Sequence, residues 1–171
     1  MTKPTYVTGD VPTASEVNEW FVGVNFARKS STESVTSSTT LQDDDDLSVA
    51  VLANGVYVVE CHVFYDAATA GDLKLGWSYP AAATGTFTAL GLSPSPAPPS
   101  SSDDVTATAD IATAFNLGGA GTGTTLSAFI KGLLVVSSTA GNFRVQWSQV
   151  SSTGTATRLF SPSYLLLRRV V

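Results

Sequence analysis

From residue 47 to the end of the chain, apolar residues recur with a period of two. In VYVVECHVFY, Tyr57, Val59, Cys61, Val63 and Tyr65 share one face and Val58, Glu60, His62 and Phe64 the other. DLKLGWSY sets Leu73, Leu75, Trp77 and Tyr79 against Lys74, Gly76 and Ser78. FRVQWSQV sets Phe143, Val145 and Trp147 against Arg144, Gln146 and Ser148. That period belongs to strands with one face in a core. TTLSAFIKGLLVV and the closing SYLLLRRVV are apolar on both faces, so each is expected to be covered twice.

Turn signals separate these runs: Ala53-Asn54-Gly55, Ala70-Gly71-Asp72, Ala140-Gly141-Asn142 and Thr153-Gly154. A Pro/Ser-rich stretch at 92–104 and a Gly-rich one at 116–125 read as loops. Many short strands with regular turns predict an antiparallel sandwich or barrel.

The first forty residues follow a different pattern. In VPTASEVNEWFVGVNFARKS, Thr13 and Glu16 have the spacing of a capping box. Val17, Trp20, Phe21, Val24 and Ala27 then recur at helical spacing as one apolar stripe, and Arg28 and Lys29 have the sign that suits a helix C-terminus. These residues predict a helix at about 14–27, followed by an extended linker into a first strand near Val35. The expected organisation is an arm, 1–34, and a β-domain, 35–171.

Composition narrows the function. The 171 residues are 43% hydrophobic and only 13% charged, with a net charge of −5. An acidic chain lacks the basic face that nucleic acid requires. Low surface charge suits a protein whose surface is partly covered by other subunits. No apolar run reaches the length of a membrane span, and MTKPTYVTGD lacks the apolar core of a signal peptide, so synthesis in a cytosol is expected. One cysteine excludes an internal disulfide.

The candidate chemistry is thin. Cys61 and His62 are adjacent in a strand and point to opposite faces, so they cannot form a dyad. Cys61 is expected in the core and His62 on a surface or interface. No G-x-S-x-G elbow is present, and GGAGTGTT lacks the G-K-[ST] ending of a phosphate loop. Consecutive Asp43, Asp44, Asp45 and Asp46 would alternate across a strand, so at most two could converge on an ion. They are expected as a solvated strand start, with a charged subunit contact to Arg144, Arg158 or Arg168 as the alternative. Trp77 and Trp147 are expected in the core; a loop aromatic such as Phe87 leaves a glycan-stacking role open. No catalytic, cofactor-binding or metal residue is assigned.

The order of the segments carries a resemblance. VTSSTTLQDDDDLSVAVLANGVYVVECHVFYDA, AGDLKLGWSYPA, IKGLLVVSSTAGNFRVQWSQVSS and SPSYLLLRRVV together resemble a β-domain of tailed-phage virion proteins, particularly those of actinobacteria. More distantly they resemble the tumour-necrosis-factor-like jelly roll. GDVPTASEVNEWFVGVNFA is similar to segments near the start of phage tail and capsid-surface proteins. The resemblance implies a non-enzymatic, homotrimeric jelly-roll β-sandwich displayed on a virion and attached to capsid or tail proteins through its arm. Val17, Trp20, Phe21 and Val24 are the expected anchoring residues. A tail protein that adheres to a host surface glycan is the alternative.

Overall fold

The structure is a computed structural model describing residues 7–13, 23–94 and 104–170. Its strands are β1 (Val24–Arg28), β2 (Glu33–Val35), β3 (Gln42–Val51), β4 (Val56–Asp66), β5 (Leu73–Ser78), β6 (Thr84–Leu92), β7 (Asp104–Asp110), β8 (Phe115–Leu117), β9 (Leu126–Val135), β10 (Gly141–Ser148) and β11 (Thr157–Arg169). They form two antiparallel sheets. The large one has seven strands in the order β1-β11-β4-β9-β6-β7, with β2 also paired to β11; the small one has the order β3-β10-β5-β8. From β3 onward the chain changes sheet at every connection except β6 to β7, so most strand pairs are distant in sequence.

The sheets close on the residues that the two-residue period places inward. Tyr57, Val59, Cys61, Val63 and Tyr65 of β4 are buried against Leu73, Leu75 and Trp77 of β5 and Phe143, Val145 and Trp147 of β10. Trp77 lies between Phe87 and Phe143, with ring centroids 5.0 and 4.8 Å away. Burying aromatic rings at this spacing dominates the energetics of such a core. Phe87 is therefore a core residue of β6, not a loop aromatic, because Thr84–Leu92 forms an interior strand between β7 and β9. Its ring crosses Gly132 of β9, where a Cβ would press on Phe87 and on the Thr86 carbonyl.

The helix expected at 14–27 is corrected at its C-terminal end. Val24 to Arg28 is a strand, paired with β11 from Val24↔Arg168 to Arg28↔Tyr164. The same residues that fit a helical stripe also alternate: Val24, Phe26 and Arg28 point one way, Asn25 and Ala27 the other. Pairing with β11 satisfies the backbone and decides the ambiguity. The remainder of that helix, with Val17, Trp20 and Phe21, lies outside the described residues.

Candidate functional site: the outer face of the large sheet

The strands that are apolar on both faces, β9 and β11, lie inside the large sheet, and only one face of that sheet meets the small sheet. In β9, Ala128, Ile130 and Leu134 are buried, whereas Phe129, Leu133 and Val135 point outward and are 41%, 45% and 39% exposed. Strand register then sets the neighbours on this outer face. One row runs Leu90, Phe129, His62, Tyr164 and Arg28. The next runs Thr88, Lys131, Glu60, Leu166 and Phe26, and the third Thr86, Leu133, Val58, Arg168 and Val24. Leu90, Phe26 and Val24 are exposed as well. Large apolar side chains thus recur across this face, interrupted by Thr88, Lys131 and Glu60, and exposed apolar clusters of this kind mark interaction surfaces.

His62 is the centre of the first row. Its ring stacks on Phe129 at 3.8 Å, tilts against Phe64 at 4.2 Å and meets the edge of Tyr164 at 5.7 Å. Nε2 is buried and has no hydrogen-bond partner among the described residues. Desolvation holds its pKa below the ordinary histidine value, so the neutral ring is favoured. Glu60 and Lys131 in the adjoining row form an exposed ion pair at 3.7 Å.

The expected separation of Cys61 and His62 holds: Cys61 is buried beneath the sheet, and burial pushes its thiol pKa far up. Such a thiol is inert. Among the described residues no group of three or more His, Cys, Asp or Glu could hold a metal ion. No helix among them is long and apolar enough to cross a membrane.

The four aspartates open β3, as expected, with Asp43 and Asp45 exposed and Asp46 half-buried; only Asp44 departs from a solvated strand start. The β3–β10 register jumps from Asp43↔Gln146 to Ser48↔Arg144, so Asp44 to Leu47 bulge opposite the single residue Val145. The bulge breaks the alternation and gives each acid a separate role. Asp43 accepts from Arg144 Nη1 at 2.6 Å and Gln146 Nε2 at 2.8 Å. The Arg144 contact considered as intersubunit is thus made within the chain. Asp46 accepts from Ser30 N–H at 2.8 Å, and this bond first of all lowers its pKa. Asp45, which the surface bulge leaves exposed, donates its N–H to Glu33 Oε1 at 3.3 Å.

Asp44 turns inward and is fully buried. Its Oδ1 accepts from the N–H groups of Asp46 at 3.0 Å and Leu47 at 2.8 Å. Its Oδ2 accepts from Trp147 Nε1 at 3.1 Å and from Lys29 Nζ at 2.7 Å. Lys29 is itself fully buried and also meets Glu33 Oε2 at 2.8 Å. Sequence reasoning placed Lys29 at a helix C-terminus and missed its burial. Glu33, four residues on, is a local partner, but Asp44 is 15 residues away and reaches Lys29 only through the bulge.

The expected anchoring residues divide. Val24 lies on β1 at 53% exposure, on the same outer face as Phe26; Val17, Trp20 and Phe21 lie outside the described residues.

Among the described residues the fold is a two-sheet antiparallel β-sandwich whose large sheet exposes apolar side chains on its outer face. No protein-family model matches the chain, and no curated protein does. Among solved structures it is similar to the tripod from the baseplate of bacteriophage Tuc2009, at 12% identity and a TM-score of 0.38 over 99% of this chain and 75% of that one. It is also similar to the Eiger TNF from S. frugiperda, at 14% identity and a TM-score of 0.39 over 86% of this chain and 93% of that one. A third, the infectious bursal disease virus Gx strain, has 11% identity and a TM-score of 0.25 over 86% of this chain and 42% of that one.

Proposed function

We propose that the chain is a non-enzymatic structural protein of a phage particle, a jelly-roll subunit that assembles as a homotrimer through the outer face of its large sheet. The supporting observation is that face. Val24, Phe26, Leu90, Phe129, Leu133 and Val135 each leave roughly half a side chain in water. At roughly 1.5–3 kcal/mol for fully burying such a side chain, covering the exposed half of all six contributes about 5–9 kcal/mol per subunit. That is comparable to the ~4–15 kcal/mol that association loses in translational and rotational freedom. The threefold arrangement and the virion setting come from the sequence resemblance. In this reading the segment ahead of β1, with Val17, Trp20 and Phe21, attaches the trimer to capsid or tail, while Val24, on the outer face of the large sheet, is covered within the trimer. Phe87 is unavailable for a glycan platform, since it is in the core.

The test is the composition of purified particles. The chain should be present in multiples of three copies, and Trp20→Ser with Phe21→Ser should leave a folded trimer that no longer joins the particle. Absence of the wild-type chain from particles would remove the virion reading, and normal incorporation of the double variant would remove the anchoring role.

A further inference from the structure

Lys29, Asp44 and Glu33 form an arrangement that the assembly reading does not use. An amine and a carboxyl are in direct contact at 2.7 Å, both fully buried, with a second carboxyl 2.8 Å from the same nitrogen. Burying an ion pair is costly for each ion, and its mutual attraction often only balances that loss. A carboxyl and an amine held together out of water have another outcome, condensation to a neutral amide. In solution the step is slow, because the amine is protonated, the carboxylate is a poor electrophile and water is abundant. Each obstacle is reduced here.

We propose that Lys29 Nζ and Asp44 Cγ join spontaneously in an intramolecular isopeptide bond, with Glu33 as the catalytic proton shuttle. Transfer of one ammonium proton along the 2.7 Å contact to Asp44 Oδ2 gives a neutral amine and a neutral carboxylic acid inside the buried site. The nitrogen lone pair attacks Cγ and the C–N bond forms. The π pair of the carbonyl moves onto Oδ1, at which the N–H groups of Asp46 and Leu47 already point. Such preset donors stabilise a tetrahedral oxyanion. Glu33 takes the second proton from the nitrogen and returns it to the Oδ2 hydroxyl. The Cγ–Oδ2 bond breaks, water leaves, and the carbonyl re-forms. Of the three ammonium protons, one stays on the amide and two depart in the water. Lys29 and Asp44 lose their opposite charges, Glu33 ends as it began, and no oxidant or other reactant is needed.

The surroundings fit these roles. Trp147 Nε1 donates to the leaving oxygen. Glu33 is raised above the ordinary glutamate pKa chiefly by desolvation, with the Lys29 hydrogen bond opposing; a raised carboxyl holds a proton more readily in transit. Fixed contact between reacting groups can be equivalent to a very high effective concentration. The modification is a single event in each chain rather than an enzyme turnover. It bonds the connection between β1 and β2 to β3, and so attaches the root of the N-terminal segment covalently to the sandwich.

Mass spectrometry of the denatured full-length protein decides the matter. The wild-type chain is expected to be lighter than its sequence by one water molecule. Cleavage after Glu33 should fail to separate the segment bearing Lys29 from the segment bearing Asp44. Lys29→Arg and Glu33→Gln should both keep the full sequence mass, and Glu33→Gln should keep the wild-type fold by circular dichroism. A folded wild-type protein that retains its full mass after prolonged incubation would overturn the proposal. So would a water loss confined to Asp44 without a link to Lys29. Unchanged cross-linking in Glu33→Gln would overturn the role given to Glu33.

Discussion

Replacing Leu133 by Asp separates folding from association. Leu133 lies on β9 opposite Val58 and Thr86, 45% exposed, while its neighbour Leu134 is fully buried in the core. The change therefore creates no cavity and leaves the strand pairing of β9 intact. A strand-disfavoured residue costs at most about 1 kcal/mol in the subunit. At the proposed interface the balance is different. About half of a leucine's burial, ~1 kcal/mol, is lost, and a carboxylate must be desolvated at several kcal/mol more. The loss recurs in each of three subunits, so the trimer is weakened by on the order of 10 kcal/mol. That corresponds to several powers of ten in the association constant. Light scattering at micromolar concentration should find a monomer, and thermal unfolding should remain cooperative. Leu133→Lys should behave alike, excluding an effect of one particular charge pair. A variant that keeps the wild-type oligomeric mass would refute this face as the interface. A variant that no longer folds would show that Leu133 supports the subunit itself.

Three further expectations concern single residues. Gly132→Ala should destabilise the subunit by about 1–3 kcal/mol in denaturant unfolding, because its Cβ would push on Phe87 and the Thr86 carbonyl; unchanged stability would contradict the close approach. His62 has a folded pKa below its unfolded value through desolvation, so the unfolded chain binds the extra proton. Its contribution is complete above about pH 6.5 and is lost as pH falls through and below that value. Covering the face enlarges the shift, so the oligomer should weaken between pH 7 and 5 while His62→Gln should be insensitive there. Burial alone would raise Asp66, but bonds from Arg158 and the Gly123 N–H outweigh it and hold the carboxyl below the usual range. The resulting stability is present above the unfolded aspartate pKa and lost as pH falls below it, and Arg158→Ala should move acid unfolding to higher pH.

The two-residue period was sufficient to read the core. Tyr57 to Tyr65, Leu73 to Trp77 and Phe143 to Trp147 are buried as their alternation indicates, since burial on one face of a sheet is a local property of the strand. The apolar second faces of β9 and β11 were also legible, and they are the candidate interface. Features that depend on tertiary pairing were not. Val24 to Arg28 satisfies both a helical and a strand pattern, and only the distant partner β11 chooses between them. Phe87 lies just ahead of the Pro/Ser-rich stretch at 92–104 and reads as a loop aromatic, whereas Thr84–Leu92 is an interior strand. The aspartates were read with unbroken alternation, whereas a bulge against Val145 turns Asp44 inward toward Lys29.

The central claim is that the uncovered face of the large sheet is closed by two further copies of the chain. The most direct measurement is the native mass of the wild-type protein in solution. Three times the chain mass of 17.7 kDa is the expected result. A stable mass of one chain at concentrations well above micromolar would contradict it.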